Sequence, residues 1–243
     1  GTPVKFVASA TIGTDHIDLE YLQQQGIGFA NAPGCNAESA SEYMINALFE
    51  LTEKKGINPF RLTAGIIGNG NVGSRVYQKL QALGIRTLVN DPPRQEAGDD
   101  SIDYVTLQDI IQQCDFITCH VPLTKDGAHP TYHLFNEARL NELTENALFF
   151  NAARGPVVDN AALSRLLIKR QDLTVFLDCW EGEPSIDQTL LKQVDYATPH
   201  IAGYSFEGKL RGTQMILQAA CEFFKRSADW DMRDYLPQKQ PIE

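Results

Sequence analysis

Short apolar runs alternate with segments of helical periodicity through the middle of the chain. The helical pattern is clearest at Asn71–Leu83 and Ala161–Lys169, where apolar side chains recur on one helical face. The apolar runs that predict buried strands are Thr63–Gly68, Arg86–Asn90, Phe116–Cys119, Ala147–Phe150, Val175–Leu177 and Tyr196–Thr198. Strands and helices that alternate in this way predict an α/β fold with a doubly wound parallel sheet.

The two ends of the chain follow a different pattern. Strands are predicted at Lys5–Ser9 and Ile27–Ala30 with a helix over Thr14–Gln25 between them, which indicates part of a second sheet. Longer amphipathic helices are predicted at Ser39–Lys55 and Phe206–Arg226. Because these helices flank the central region, we expect them to carry the chain from one domain to the other.

Composition and charge narrow the class of protein. With 43% hydrophobic and 21% charged residues, the chain is typical of a globular protein that buries a core. The formal net charge is −10 and no basic block is present, which argues against nucleic acid as a partner. No apolar run reaches the roughly 18 residues of a membrane span, and no signal peptide opens the sequence.

Cysteine and histidine usage argues for a reducing compartment and against a metal site. The five cysteines form no C-x-x-C pair, so we expect small buried thiols in a cytoplasmic protein. His120, His129 and His133 are close in sequence, but Gly127 and Pro130 indicate a loop there. No further ligand follows at a suitable spacing, and no bound metal is therefore expected.

A glycine-rich turn follows the first central strand and opens a helix. Gly68, Gly70 and Gly73 form the pattern G-x-G-x-x-G, with Asn71 and Val72 inside it. The first glycine permits a tight turn, the second lets the backbone approach a pyrophosphate, and the third lets helix and strand pack closely. The N–H groups at the helix N terminus can then bind phosphate.

An acidic residue completes the pattern of a Rossmann-type dinucleotide-binding domain. Asp91 ends the second strand, 23 positions after Gly68 (91 − 68), where a carboxylate accepts hydrogen bonds from the adenosine ribose. It would repel a 2′-phosphate, so the sequence predicts NAD rather than NADP as cofactor. Arg94 leaves NADP open, because a nearby arginine can accommodate that phosphate. The alternative is an ordinary glycine turn with a capping aspartate.

Three polar residues follow the carboxyl ends of predicted strands, where open α/β sheets bind ligands: Arg154, Glu183 and His200. A guanidinium can hold a substrate carboxylate, and a histidine can take a hydroxyl proton because its ordinary pKa is near ~6.5. A carboxylate beside that histidine would orient the ring. Taken singly, Arg154 could instead be a surface salt-bridge partner, His200 a structural histidine and Glu183 a turn residue. Together the three residues predict oxidation of a 2-hydroxy acid.

The order of these motifs resembles the D-isomer-specific 2-hydroxyacid dehydrogenases over almost the whole chain. The shared motifs are the glycine fingerprint, Ala-Arg-Gly at Arg154, Glu-Gly-Glu-Pro at Glu183 and Pro-His-Ile-Ala-Gly at His200. Further stretches resemble the members of the family that oxidise 4-phospho-D-erythronate. These are residues 10–16, 33–36, 91–94, 122–127, 158–160, 200–205, 207–209 and 211–213.

The resemblance implies a reaction and a set of residues. The reaction is hydride transfer from 4-phospho-D-erythronate to NAD, giving (R)-3-hydroxy-2-oxo-4-phosphooxybutanoate in the biosynthesis of pyridoxal 5′-phosphate. His200 would carry the proton, with Arg154 and Glu183 in the active site. The other implied positions are Asp91, Val121, Asp178 and Gly203 for the cofactor, and Thr11 and Tyr204 for the substrate. Relatives have threonine at the place of Val121. By charge alone, Lys125, Lys209 and Arg211 are candidates for the substrate phosphate.

The resemblance also implies a domain organisation. Residues 1–38 would be part of a flavodoxin-like substrate domain, 39–204 the NAD-binding domain, and 205–243 a returning helix with the C-terminal segment of the substrate domain. Because the first strand begins so close to Gly1, we expect a further strand–helix portion upstream. Full-length members form homodimers through a C-terminal domain, and we do not expect that domain after Ser227.

Two other functions remain open from the sequence. The same chemistry could act on glycerate, 3-phosphoglycerate or lactate, and phosphate-binding residues would discriminate among them. A non-catalytic NAD-sensing module is the alternative from another class, on the analogy of the fold alone. The set of Arg154, Glu183 and His200 favours an enzyme.

Overall fold

The computed structural model describes residues 3–237, which divide into two compact units. One unit is Ala40–Ala202, and the other combines the described residues up to Ser39 with those from Gly203 onward. The predicted boundaries at 38/39 and 204/205 differ from this division by one and two residues. Ser39, Gly203 and Tyr204 thus lie in the terminal unit, where Gly203 packs closely against the Asn36 side chain. Residues 1–2 and 238–243 of the predicted terminal segments lie outside the described residues.

The strands and helices alternate along the described chain. In order they are β1 (Phe6–Ala8), α1 (Leu19–Gln24), β2 (Gly28–Ala30), α2 (Ala37–Lys55), β3 (Thr63–Ile67), α3 (Asn71–Ala82), β4 (Arg86–Asn90), α4 (Pro92–Glu96), α5 (Leu107–Gln113), β5 (Phe116–Cys119), α6 (Glu137–Asn141), β6 (Leu148–Asn151), α7 (Asn160–Leu167), β7 (Thr174–Leu177), α8 (Gln188–Gln193), β8 (Tyr196–Ala197) and α9 (Phe206–Phe223). Short 3-10 turns occur at Pro59–Arg61, Gly155–Val157 and Met232–Tyr235.

The unit Ala40–Ala202 is built on a six-stranded parallel sheet with the order β4-β3-β5-β6-β7-β8. The chain places β4 on one side of β3 and then crosses to place β5 on the other side. The connections after β3 and β5 therefore diverge, which opens a crevice at the carboxyl ends of these strands. The predicted Rossmann-type doubly wound sheet is confirmed.

Side chains that alternate along each strand supply two apolar layers, one on each face of the sheet. Ile67 and Phe149 belong to the layer that packs with α5, α6 and α7. Their neighbours Ile66 and Phe150 belong to the layer that packs with α2 and α3. Because the strand period is two, a central strand with helices on both faces must be apolar at nearly every position, which explains the continuous apolar runs.

The terminal unit contains a two-stranded parallel sheet, β1 and β2, against which α9 packs. The rings of Phe6 and Phe223 lie 5.0 Å apart, centroid to centroid. The helix predicted over Thr14–Gln25 is shorter than expected, because α1 begins only after Asp18. The Asp18 carboxylate accepts the Tyr21 N–H at 2.8 Å and so caps the helix at this later position.

Among residues 3–237, every helix is too short or too polar to cross a membrane.

Candidate active site

The glycine turn between β3 and α3 has the geometry that the fingerprint predicts. Gly68 adopts φ +90°, a conformation that favours glycine, and its N–H donates to the Asn90 carbonyl at 2.8 Å. A Cβ atom on Gly73 would overlap the Gly68 carbonyl oxygen, whereas one on Gly70 would meet nothing within 4 Å. Gly70 is the N-cap residue of α3 and, as glycine, provides no side-chain cap. Open space therefore lies beside Gly70, at the N-cap position of α3.

Asp91 is fixed at the end of β4 by two backbone hydrogen bonds. One carboxylate oxygen accepts the Asn69 N–H at 2.7 Å, and the other accepts the Arg94 N–H at 3.1 Å. Each oxygen retains a further acceptor position, because a carboxylate oxygen has two lone pairs. The carboxylate is thus held beside the glycine turn and can still accept from ribose hydroxyls.

The end of β5 forms the other wall of this turn. A Cβ on Gly68 would lie 2.8 Å from Cγ1 of Val121 and 2.9 Å from the His120 carbonyl oxygen. Burial lowers the pKa of His120 to about 3, so the ring is neutral at physiological pH.

The tight glycine turn, the open helix N terminus and the held Asp91 together fit an adenine dinucleotide. The cofactor contacts of Asn71, Val72 and Val121 remain predictions.

The predicted pair His200 and Glu183 is brought together in the structure. Nδ1 of His200 lies 2.9 Å from Oε2 of Glu183, and Oε1 of Glu183 accepts the Trp180 N–H at 2.7 Å. The Glu183–Pro184 peptide bond is cis. The His200 side chain is 46% exposed, so its second ring nitrogen, Nε2, can meet a ligand.

Asp178 holds the loop that carries His200. Its carboxylate is 1% exposed and accepts hydrogen bonds from the Thr198 hydroxyl at 2.6 Å and from the N–H groups of Ile201 and Ala202 at 2.7 and 3.0 Å. His200 itself has φ +57°, which costs about 1–3 kcal/mol for a non-glycine residue. The buried carboxylate therefore stabilises a strained backbone at the histidine. The contact of Asp178 with the cofactor remains a prediction.

Arg154 lies on the loop after β6, and this loop packs directly against the Glu183 loop. A Cβ on Gly155 would overlap the backbone of Trp180. Cys179 directly precedes Trp180. Burial raises the pKa of its thiol well above the ordinary value; the charge of Glu183 raises this pKa further, and the charge of Arg154 lowers it. Both charged groups thus lie within electrostatic reach of the same sulfur. The Arg154 guanidinium also donates to the Ala153 carbonyl at 2.8 Å.

A pocket of about 360 Å³ lies beside the His200–Glu183 pair, with an apolar wall formed by Trp180, Ile186 and Leu191. Because a phosphorylated acid requires polar partners, we do not assign this pocket to the substrate.

Three predicted site residues belong to the terminal unit: Thr11, Gly203 and Tyr204. The Thr11 hydroxyl lies 2.7 Å from the Ser9 hydroxyl. Tyr204 is 70% exposed, and the Lys209 ammonium lies 3.6 Å from its ring centroid. This ammonium lowers the pKa of the Tyr204 phenol through a hydrogen bond and its charge. The substrate contacts of Thr11 and Tyr204 and the cofactor contact of Gly203 remain predictions.

The sequence interpretation missed a second histidine–carboxylate pair beside the site. Nε2 of His133 lies 2.7 Å from Oε1 of Glu181, and the other oxygen of Glu181 accepts the Asn160 N–H at 2.9 Å. The Glu181 N–H in turn donates to the Asn160 side-chain oxygen at 3.2 Å. Glu181 thus ties the loop that carries Glu183 to the start of α7. In the sequence only the Glu-Gly-Glu motif marks Glu181, and His133 stands out there only as one of three histidines for which no metal is expected.

Two groups of described side chains bring possible metal-ligand atoms within 4.8 Å of one another. They are Cys179, Glu183 and His200, and His133, Asp159 and Glu181. In both groups the histidine bonds directly to a carboxylate, at 2.9 and 2.7 Å. Those hydrogen bonds account for the arrangement, so we assign no metal to either group.

Comparison with known proteins identifies relatives of the chain. Residues 38–202 match the family described as D-isomer specific 2-hydroxyacid dehydrogenase, NAD binding domain. Curated relatives include the erythronate-4-phosphate dehydrogenases of Pseudomonas syringae pv. syringae, 48% identical over 237 residues, and of Salmonella schwarzengrund, 49% identical over 237 residues. Both alignments cover 98% of this chain, which spans 62% of the length of either relative.

Solved structures give the same fold. D-lactate dehydrogenase from Aquifex aeolicus, complexed with NAD and lactic acid, matches with a TM-score of 0.74 and 29% identity over 91% of this chain and 76% of that chain. The NAD-bound 3-phosphoglycerate dehydrogenase of Entamoeba histolytica matches with a TM-score of 0.78 and 25% identity, over 91% of this chain and 72% of that chain.

Proposed function

The chain belongs to the D-isomer-specific 2-hydroxyacid dehydrogenases and carries their NAD-binding domain, and we propose that it takes part in oxidising 4-phospho-D-erythronate with NAD. The names of relatives at 48% and 49% identity support this substrate. The observation that carries the chemistry is the hydrogen-bonded pair His200–Glu183 at 2.9 Å, beside the loop of Arg154. The product would be (R)-3-hydroxy-2-oxo-4-phosphooxybutanoate.

Each side chain of the pair has a distinct task in this proposal. Nε2 of His200 takes the proton of the substrate 2-hydroxyl, since Nδ1 is occupied by Glu183. Glu183 fixes the ring orientation, and its negative charge stabilises the imidazolium that forms. The Trp180 N–H holds Glu183 in place at 2.7 Å. A positioned base of this kind contributes roughly 10²–10⁴-fold to the rate.

Arg154 binds the substrate carboxylate. A guanidinium can form two parallel hydrogen bonds to a carboxylate, which fixes the plane of the substrate relative to the base. The close packing of Gly155 on Trp180 keeps the arginine loop against the glutamate loop. Binding and proton transfer therefore depend on the same pair of packed loops.

The cofactor would be held by the turn Gly68–Gly73, the N terminus of α3 and Asp91. Bound there, NAD supplies the acceptor for the hydride that leaves C2 of the substrate. The fit rests on the overlap that excludes a side chain at Gly73 and on the open space before Gly70.

The biological setting belongs to the same proposal. The resemblance to enzymes that act on 4-phospho-D-erythronate supports a place in pyridoxal 5′-phosphate (pyridoxine) biosynthesis. It also supports a small-molecule substrate and, as for full-length family members, a homodimer. The net charge of −10 supports a protein that does not bind nucleic acid. The five cysteines form no C-x-x-C pair and four of them are buried singly, which supports a cytoplasmic protein.

Two measurements on this chain test the proposal. NADH is first titrated while nicotinamide fluorescence is followed, and 4-phospho-D-erythronate is then added to the NAD-bound protein while absorbance of the reduced cofactor is recorded. We expect binding and turnover, with a preference of about tenfold or more over 3-phosphoglycerate, D-glycerate and D-lactate. His200→Gln should bind NADH and lose turnover. Binding with no turnover on any of these acids would point to a truncated pocket or to a sensor, and a chain extended upstream to the length of its relatives separates the two. If the extended chain also fails to turn over, the substrate is contradicted and a sensor is favoured; absence of binding would contradict the cofactor site.

A further inference from the structure

We propose that Asp99, acting with Tyr104, determines the preference for NAD over NADP by restraining the guanidinium of Arg94. The inference rests on the proposed NAD site and adds residues that decide which dinucleotide it accepts. In the sequence, Arg94 is the residue that keeps NADP possible as a cofactor, because a free arginine beside the ribose-binding acid can bind a 2′-phosphate.

A closed ring of polar contacts restrains Arg94. It consists of the side chains of Arg94, Asp99, Tyr104 and Asn69 and the backbone carbonyl of Asn69. Nη1 of Arg94 donates to the Asn69 carbonyl at 2.6 Å, and Nε of Arg94 lies 3.4 Å from Oδ2 of Asp99. The Tyr104 hydroxyl donates to the same Asp99 oxygen at 2.8 Å. The Asn69 side-chain amide donates to the Tyr104 oxygen at 3.0 Å, which returns the ring to its first residue.

The ring lies next to Asp91, the carboxylate expected to accept hydrogen bonds from the ribose. Asp91 accepts the backbone N–H of both Asn69 and Arg94, at 2.7 and 3.1 Å. Arg94 is three residues after Asp91 in the first turn of α4, so its side chain starts one helical turn from the carboxylate. A guanidinium released from the ring could therefore reach a phosphate on the 2′ oxygen, whereas in the ring its Nη1 donates to Asn69 and its Nε faces Asp99, which fixes the direction of the group.

The negative charge of Asp99 also favours NAD over NADP. Hydrogen bonds from Ser101 and Tyr104 hold the pKa of Asp99 at about 2, so this carboxylate is anionic at any physiological pH. A 2′-phosphate would then meet two carboxylates, Asp91 and Asp99, with one guanidinium already engaged. NAD places a neutral hydroxyl there and meets no such repulsion.

The test measures binding and not turnover. Dissociation constants for NADH and NADPH are determined by fluorescence titration for the wild-type chain and Asp99→Asn. Asparagine keeps an acceptor for Tyr104 and removes the charge. We expect NADPH to bind about tenfold more tightly to the variant, the gain from one freed charge-assisted contact, while the NADH constant stays within about threefold. Tyr104→Phe, which frees Asp99 to turn away from Arg94, should shift the ratio the same way by a smaller factor.

Two further variants make the assignment specific. Asp103→Asn removes a charge from the same segment outside the ring and should leave the NADPH to NADH ratio unchanged. Asp99→Asn combined with Arg94→Ala should lose the gain, because the freed arginine is then absent. A ratio unchanged in both Asp99→Asn and Tyr104→Phe, or a gain that survives removal of Arg94, would overturn the inference. Wild-type protein that binds neither dinucleotide would overturn the proposed cofactor site itself.

Discussion

Nδ1–H of His200 donates to Oε2 of Glu183 across 2.9 Å, so only Nε2 of the ring is left for a substrate. The backbone of His200 is in the left-handed region, at φ +57°, and is held there by the Asp178 loop contacts. The direction of the ring is therefore set by a carboxylate on one side and by a strained backbone on the other.

Removal of either member of the pair should reduce turnover and leave the cofactor bound. We expect His200→Gln to lower kcat by roughly 10²–10⁴-fold, the usual contribution of a positioned base. Glu183→Gln keeps the size of the side chain and loses its charge, so kcat should fall by at least about tenfold. NADH titration is the control, and an unchanged kcat in either variant would remove that residue from the chemistry.

Two glycines of the fingerprint should respond differently to the same added methyl group. Gly73→Ala forces a Cβ into the Gly68 carbonyl, and we expect a stability loss of about 1–3 kcal/mol together with loss of NADH binding. Gly70→Ala meets only open space, so its melting temperature should stay close to that of wild type. NADH affinity should nevertheless fall, because the methyl group occupies the approach to the pyrophosphate. Wild-type affinity in Gly70→Ala would contradict the placement of the phosphates.

His133 should influence turnover through Glu181 without contacting the substrate. In His133→Ala, Glu181 loses its 2.7 Å partner, and the loop that carries Glu183 is less firmly held. The loss of one hydrogen bond of about 1 kcal/mol corresponds to a decrease in kcat of about fivefold, with an unchanged dissociation constant for NADH. His133→Gln retains an N–H donor and should recover most of the activity. Equal losses in both variants would show that the hydrogen bond is not the cause.

Stability in acid should depend on Asp172. Arg170 lies 2.7 Å from this carboxylate and, through that hydrogen bond, holds its pKa well below the ordinary range. Because the folded pKa is depressed, the contribution to stability is complete above about pH 4 and is lost as pH falls towards the folded pKa. Asp172→Asn should therefore be less stable at pH 7 and show a flatter decline below about pH 4. Denaturant unfolding at several pH values measures this, with Asp103→Asn as the control.

Thiol labelling should distinguish the half-buried Cys221 from the four buried cysteines. Cys35, Cys114, Cys119 and Cys179 are buried, and burial raises their pKa, that of Cys114 to about 12. Because the thiolate is the reactive form, a disulfide reagent should label only the half-buried Cys221 rapidly in the folded protein. Cys221→Ser should lose the rapid phase. Rapid labelling of more than one thiol would contradict the packing of the core.

The central fold was predictable from the sequence because its information is local. A strand buried on both faces is apolar throughout, and the period of a helix appears within a dozen residues, as at Asn71–Ala82. The glycine turn and Asp91 were recognisable for the same reason, since their roles depend on backbone conformation and on spacing along the chain. The ends of elements were less predictable: α1 starts at Leu19 because the Asp18 side chain, rather than Thr14, caps it.

The tertiary structure alone decided which distant side chains meet. Asn69 and Tyr104 are 35 residues apart, and His133 and Glu181 are 48 apart, and nothing near either pair in the sequence indicates its partner. Such contacts depend on the order of the strands in the sheet and on the paths of the loops at their carboxyl ends. The sequence by itself therefore determined the dinucleotide fold and the candidate chemistry. The folded chain determined how Arg94 is restrained and how His200 is oriented, because hydrogen bonds between loops act over a few ångströms of space regardless of their separation along the chain.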